Sequence, residues 1–346
     1  MSEGQDMARQ LAATFRWHSP VERVERLAGD ASSRNYYRVR YADGGTAVVM
    51  AHSQSERNEE LPFLDVHAFL EALGLPVPKV YAYQPDQGVL LLEDLGDDLL
   101  ETVTERTDDH GLEQLYSAAV DLLVDLQRRT AESSADCVAL YLAFDEAKLI
   151  QEMHFFMTHF VRGMCGIEPS ASAARALDDF FRAMCRMLAS EPRVFAHRDF
   201  HARNLILRDE RLFMIDFQDA RMGPAQYDLA SLLRDSYVTL PDRVVEDLID
   251  RYLSSIGDTL GRSASRFRYV FDIMSLQRNT KALGTFGFQA SVRGSARYLS
   301  AIPRTGAYIA RTIADLTDFG PFRSVVEDFI SGPAGALASS GESCCG

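Results

Sequence analysis

His197-Arg198-Asp199-Phe200-His201-Ala202-Arg203-Asn204 is followed, twelve residues after its asparagine, by Asp216-Phe217-Gln218-Asp219. Asp199 and Asn204 stand five apart, and a histidine precedes the aspartate by two. That is the H-x-D-x-x-x-x-N spacing of a phosphoryl-transfer catalytic loop, with Asp216 in the place of the second metal-binding carboxylate. The chemistry requires these groups. A carboxylate, here Asp199, must orient the attacking hydroxyl and accept its proton. An amide oxygen and a second carboxylate, here Asn204 and Asp216, must hold Mg²⁺ against nucleotide phosphates whose charge would otherwise repel the nucleophile. Between them, Leu205-Ile206-Leu207 and Phe213-Met214-Ile215 surround the polar turn Arg208–Arg211. Two apolar runs about a polar turn predict a β-hairpin with Asn204 at one end and Asp216 at the other. The stretch reads as the core of a kinase.

The rest of the chain is of a size to carry such a site. Its 346 residues suit two lobes sharing a cleft, and 47% hydrophobic content predicts a folded protein. A formal charge of −14 argues against nucleic acid or an anionic membrane as a partner, since both demand basic patches. Met1–Phe15 lacks the basic start and apolar block of a secretion signal, and no apolar run approaches the ~20 residues that cross a bilayer. A cytoplasmic monomer is expected. Cys137, Cys165, Cys185 and the adjacent Cys344-Cys345 show no zinc spacing, and adjacent cysteines rarely bridge, so reduced thiols are expected. Only Lys79, Lys148 and Lys281 are lysines.

The expected fold class is α+β: a bilobal, protein-kinase-like arrangement with a small antiparallel β-sheet lobe and a larger, mainly helical lobe carrying the catalytic hairpin. The expected division is 1–93 for the nucleotide-binding lobe, 94–331 for the helical catalytic and substrate lobe, and 332–346 for a disordered, Gly/Ala/Ser-rich tail. A leading helix is expected over 1–18. Strands then surround the small, polar loop Ala28–Arg34, whose Ser32, Ser33 and Arg34 are the candidate phosphate-side contacts. Pro62–Leu73 has apolar residues at helical spacing and ends at Gly74. Two further strands lead into Glu93-Asp94-Leu95-Gly96, the candidate hinge where Glu93 and Leu95 would meet the nucleotide base. Helices are expected over Leu112–Arg129, Asp145–Phe160, Ala171–Ser190, from Pro224 to Arg234, Asp242–Ser255, Arg266–Leu283, Ala296–Leu316 and Arg323–Ile330.

The motif HRDFHARNLIL, then MIDFQDARMGPAQYDLASLLRD, resembles the aminoglycoside-phosphotransferase-type kinases. More narrowly, the chain is similar to bacterial anomeric kinases of N-acetylmuramate and N-acetylglucosamine. Gly29–Val39, Leu276-Gln277-Arg278-Asn279-Thr280-Lys281 and the stretch from Arg297-Tyr298-Leu299 to Ile302-Pro303-Arg304 carry that narrower similarity. The resemblance covers roughly residues 20–330. It implies ATP and Mg²⁺ as cofactors and phosphorylation of a sugar's C1 hydroxyl, giving a sugar 1-phosphate for peptidoglycan recycling. An aminoglycoside or other small-alcohol kinase of the same fold is the second reading. The clusters Asp97-Asp98 and Asp108-Asp109 would then be candidates for a polyamine site, though they read as solvated loops. A nucleotide-binding pseudokinase is the third, motivated by Met50.

Met50 stands where a V-A-I-K strand would place the phosphate-binding lysine. Arg34 or Arg38 could replace that charge, Arg34 being otherwise a solvated loop residue. Arg203, four after Asp199, is the candidate for the transferring phosphate, with a salt bridge within the loop as its alternative. His197 reads as a scaffold residue rather than a proton carrier, His201 as a substrate or phosphate contact or a surface residue, and Asp219 as a turn residue or an aid to the metal. Asp228 is expected to bond backbone amides of the catalytic loop. Phe155, Phe156 and Phe160 are core by default. Glu152, Gln277, Arg278 and Lys281, with His201, are the candidate sugar contacts, because a sugar needs convergent donors and acceptors.

Overall fold

A computed structural model describes residues 5, 8–9, 12–13, 19–27, 34–51, 62–257 and 261–340. The chain forms two compact units: Met1–Asp98 with Ile206–Ile215, and Leu99–Leu205 with Asp216–Gly346. The hairpin thus belongs to the first unit, while the residues at its two ends belong to the second.

The first unit is built on a five-stranded antiparallel sheet of β1 (Val21–Arg26), β2 (Asn35–Tyr41), β3 (Thr46–Ala51), β4 (Val80–Gln84) and β5 (Val89–Glu93), in the order β1-β2-β3-β5-β4. Alternation puts Tyr37, Val39, Tyr41, Val49, Val89 and Leu91 on one buried face with Ala8 and Ala12. Of the leading helix expected over 1–18, the described residues Gln5, Ala8, Arg9, Ala12 and Ala13 are helical. Met50 lies on the opposite face, fully buried, and pairs in register with Leu90. Helix α1 (Pro62–Ala72) buries Phe63, Val66, Phe69 and Leu70. Its His67 Nε2 lies 2.7 Å from the Pro78 carbonyl.

The hairpin of β7 (Leu205–Arg208) and β8 (Arg211–Met214) is tied to this unit by its backbone. Leu207 N donates to Asp98 O at 2.8 Å, and Met214 N to Pro76 O at 2.8 Å. Arg208 Nη1 adds bonds to Glu93 Oε1 at 2.9 Å and Asp94 O at 3.0 Å.

The second unit is helical: α2 (Leu100–Thr104), α3 (Asp109–Glu132), α4 (Glu146–Phe156), α5 (Ala171–Ala189), α6 (Gln226–Leu233), α7 (Asp242–Ile256), α8 (Ala264–Ser291) and α9 (Ile302–Asp315). The strand pair β6 (Arg193–Ala196) and β9 (Arg221–Pro224) lies among them. Side chains cap the helix starts as the sequence invites: Asp108 accepts from Gly111 N, Asp145 from Lys148 N, and Ser170 from Ala173 N. Among the described residues, no helix is long and apolar enough to cross a membrane, and Cys137, Cys165 and Cys185 are free.

Several expected boundaries shift. Pro224 closes β9 instead of opening a helix, and α6 starts at Gln226. The helix expected through Phe160 is α-helical to Phe156 and then π-helical over Met157–Met164. Arg323–Ile330 likewise divides into an α-turn at Arg323–Val326 and a π-turn at Glu327–Ser331. The stretch before α9 is a 3₁₀ turn at Leu299–Ala301. Part of the expected disordered tail, Gly332–Ser340, is a helix, because Ala334 is fully buried against α9. A Cβ on Gly306 of α9 would lie 2.5 Å from that of Ala334, so small residues permit the approach.

Helix α8 continues past the expected end at Leu283, through Gly284 and Gly287. Glycine normally weakens a helix interior, yet here it allows a neighbouring backbone to come close. A Cβ on Gly287 would meet His159 O at 2.5 Å and Phe160 Cα at 2.6 Å. Because both obstacles belong to the π-helical backbone, Gly287→Ala should destabilise the protein by about 1–3 kcal/mol. Urea unfolding measures this. An unchanged midpoint would show that the π segment yields freely.

Candidate active site

The catalytic loop leaves β6 and is gripped from both sides by buried aspartates. Asp228, on α6, accepts from His197 N through Oδ2 at 2.6 Å and from Arg198 N through Oδ1 at 3.0 Å. Asp235, just beyond α6, accepts from Ala202 N at 2.9 Å and from Tyr237 N at 2.9 Å. Burial pushes each carboxyl up to about 7, against the amide donors that favour its ionised form. Asp228 has the part expected from the sequence. Asp235 was not singled out, since an aspartate at a helix end carries no local sign of a distant amide.

Arg198, between these anchors, has φ +83°, and Asp216 has φ +65°. Such values are unusual for residues with side chains and cost of order 1–3 kcal/mol each. One of them immediately precedes Asp199, and the other is the candidate metal ligand itself.

The Asp199 carboxylate is held by α8. Lys281 Nζ lies 2.8 Å from Oδ1, and Arg278 Nη2 lies 3.3 Å from the same oxygen. Burial works to raise the Asp199 pKa, but Lys281, Arg278 and Arg198 outweigh it and hold the carboxyl well below the usual range. Arg278 is fixed by Tyr227, whose hydroxyl oxygen lies 3.0 Å from Nη1. Gln277 Nε2 donates to Glu152 Oε2 at 2.9 Å, and Arg198 reaches Glu152 at 3.9 Å and Asp219 at 3.0 Å. The candidate sugar contacts therefore divide. Lys281 and Arg278 touch Asp199, whereas Gln277 and Glu152 pair with each other.

Asn204 Nδ2 donates to Asp199 O at 2.9 Å, which orients the amide, and Asp216 Oδ1 accepts from Gln218 Nε2 at 2.9 Å. His197 is buried, with its ring edge-on to Phe200 at 5.7 Å. The His201 ring stands edge-on to Tyr237 at 5.5 Å.

Two candidate arginines and two acidic candidates have partners within the protein. Arg203 is engaged by Glu101 of α2, through Nε at 2.8 Å and Nη2 at 2.9 Å, and its guanidinium stacks 3.6 Å over Tyr237. That bidentate pair, with a residue outside the loop, makes it an anchor of the loop. Arg38 is buried and bonded to Asp94, Asp97 and the Gly96 carbonyl, so it clamps the turn after β5 and is committed there. Of the acidic clusters weighed for a polyamine, Asp97 bonds Arg38 and Asp108 caps the start of α3, and all four aspartates lie exposed.

Among the nucleotide candidates, Ser32 and Ser33 lie outside the described residues, and Arg34 is half-buried before β2. Glu93 is bonded by Arg208 and by Lys79 N at 3.2 Å, and Leu95 is buried.

A cavity of about 90 Å³ opens beside Asp199 in the second unit. Its lining includes His201, Arg234, Tyr237, Asn279, Lys281 and Phe286. Of these, Arg234, Tyr237 and Phe286 gave no sequence signal: the first two lie in the irregular segment after α6, and an aromatic residue on a helix such as Phe286 reads as core.

Among the described residues, no three His, Cys, Asp or Glu side chains cluster as a metal cage. Mg²⁺ needs no such cage, since it is commonly held by one or two protein oxygens with phosphates and water completing the shell. The Asn204 amide, its nitrogen already committed, and the Asp216 carboxylate are oxygen donors of that kind.

The sequence profile of the phosphotransferase enzyme family (APH) matches residues 23–265. The N-acetylmuramate/N-acetylglucosamine kinase of Pseudomonas aeruginosa is 30% identical over 298 residues, covering 85% of this chain and 85% of that protein. The protein of the same name from Neisseria meningitidis serogroup B is 28% identical, covering 88% of this chain and 89% of that protein. The crystal structure of choline kinase LicA from Streptococcus pneumoniae superposes with a TM-score of 0.64 at 16% identity, covering 91% of this chain and all of that one.

Proposed function

Since the chain belongs to the APH phosphotransferase family, we propose that it transfers the γ-phosphoryl group of ATP to the C1 hydroxyl of an N-acetylated amino sugar, N-acetylmuramate or N-acetylglucosamine. The observation that carries this reading is the Asp199 carboxylate lining a cavity while both its cationic partners meet one oxygen, Oδ1. Oδ2 is then the oxygen for an incoming hydroxyl.

Asp199 orients the sugar hydroxyl and takes its proton as the bond to phosphorus forms. A carboxylate held this firmly ionised is a weak base, which suits a loose transition state where the nucleophile loses its proton late. An anomeric hydroxyl is also more acidic than an ordinary alcohol, which lightens the demand. Asn204 and Asp216 would hold Mg²⁺, which supplies charge neutralisation at the phosphates when bound. Ser32, Ser33, Arg34, Glu93 and Leu95 are assigned to the nucleotide. His201, Glu152, Gln277, Arg278 and Lys281 are assigned to the sugar, the last two through Asp199. Arg203 acts by holding the loop. The product, a sugar 1-phosphate, fits the reuse of cell-wall sugars.

In the cavity lining, Arg234, Arg278 and Lys281 outnumber the carboxylates Asp199 and Asp235, which disfavours a polyamine antibiotic as acceptor. The intact set of Asp199, Asn204 and Asp216 disfavours a pseudokinase.

Incubation with Mg·ATP and each N-acetyl sugar, followed by phosphorus NMR, tests the proposal. A 1-phosphate should form, and the methyl glycoside, whose C1 oxygen is capped, should be inert. A 6-phosphate, or turnover of the capped sugar, would refute the anomeric assignment and leave the kinase reading standing.

A further inference from the structure

Asn279 follows Arg278 on α8 and lines the cavity beside Asp199. It is 3% exposed, and its Nδ2 is buried with no hydrogen-bond partner among the described residues. An unpaired buried amide donor is costly, and native proteins rarely leave one without a reason. Its neighbours on α8 have partners of their own: Gln277 has Glu152, Arg278 has Tyr227 and Asp199, Thr280 has the Leu276 carbonyl, and Lys281 has Asp199. Beside Asn279, the wall continues with Ala282 and Phe286, which offer no hydrogen bond. The vacancy is thus the Asn279 Nδ2 group, in a cavity where the Arg278 guanidinium, though its Nε is also without a partner, is already fixed through Nη1 and Nη2.

We propose that Asn279 determines acceptor specificity by donating its side-chain N–H to the carbonyl oxygen of the acceptor's acetamido group. This rests on the amino-sugar kinase reading above. An acetamido oxygen is a stronger acceptor than a sugar hydroxyl and needs no donor of its own to be satisfied. The adjacent Phe286 ring is an apolar surface suited to the acetamido methyl. A site with a buried donor waiting for an acceptor discriminates against analogues that lack one, because its own group is then stranded.

The test compares wild type with Asn279→Ala and the near-isosteric Asn279→Leu, using N-acetylglucosamine and glucosamine with Mg·ATP. Analogues that turn over are read through kcat/KM and those that do not through competitive Ki, so each protein yields a ratio of the two sugars. Thermal unfolding by circular dichroism verifies that each variant is folded. The wild type should favour the acetylated sugar. Each variant should lose about ten- to a hundredfold on N-acetylglucosamine and under about threefold on glucosamine, collapsing the ratio. A loss shared equally by both sugars, or no loss, would overturn the inference, since a structural role cannot change the ratio. If the wild type turns over no N-acetylated sugar, the underlying reading fails and this inference with it. If it does so and the ratio is preserved in the variants, only the inference fails.

Discussion

Asp199→Asn should lower turnover by about 10²–10⁴-fold, the range a positioned base contributes, while the folded protein still binds ATP. The substitution keeps the shape of the side chain, so Lys281 and Arg278 still meet an oxygen. What it removes is the anion, and with it both the proton acceptor and the charge that offsets two buried cations. Some stability should be lost as well, because a buried cation without its partner is unfavourable. The kinetic effect must therefore be separated from unfolding. Circular dichroism and ATP binding by calorimetry make that separation, and single-turnover measurement gives the chemical step. If Asp199→Asn turns over within about threefold of wild type, Asp199 is not the proton acceptor.

Asp228→Ala should be the most damaging change away from the reacting groups. It leaves the amides of His197 and Arg198 buried and unpaired. At about 1–3 kcal/mol for each, the loss is about 2–6 kcal/mol, a large part of the stability of an ordinary domain. Turnover should fall too, since Arg198 has an unfavourable backbone conformation that this carboxylate maintains. Asp228→Asn is the finer probe. Burial raises the Asp228 pKa to about 7, so above the ordinary aspartate pKa the folded protein keeps a proton that the unfolded chain has released. Its contribution to stability is fully present below the ordinary value and is lost as pH rises through about 7. Asparagine cannot ionise, so Asp228→Asn should flatten the fall in stability between pH 5 and 7.5, leaving the parallel share of Asp235. Urea unfolding at the two pH values gives the slope, and a slope identical to wild type contradicts the assignment.

The parts of this molecule legible in its sequence are those written locally. The spacing of Asp199, Asn204 and Asp216 marked the loop, and the two apolar runs between them marked the hairpin. The β-rich runs Tyr36–Tyr41 and Thr46–Met50 about the turn Ala42–Gly45 marked two strands of the sheet. Asp228 was legible because its position after β9 is part of the same continuous motif. Long-range partners were not legible. Arg203 meets Glu101 across 102 positions, and Lys281 meets Asp199 across 82. An ion pair between distant residues leaves no periodicity, so the sequence could suggest that Arg203 needed an anion without saying which. The π-helical turn after Phe156 was hidden for a related reason: its apolar residues fit an α-helix equally well. At this junction the backbone of α8 comes close, Gly284 to Phe156 and Gly287 to His159 and Phe160.

The path of the chain has a consequence for how the protein is made. The polypeptide leaves the first unit after Asp98, returns to it for Ile206–Ile215, and leaves again. During synthesis on a ribosome, the five-stranded sheet emerges early but lacks its hairpin until more than a hundred further residues have been added. At ordinary translation rates that wait is about 10 s. Throughout it, Asp98 O and Pro76 O have no β-strand amide to accept from. The amino-terminal unit is therefore the first begun and cannot be the first finished, and a truncated chain ending anywhere before Ile215 leaves it incomplete. Neither unit corresponds to a contiguous stretch of the gene, so dissecting the protein at Asp98 would yield two fragments, each lacking part of its own fold.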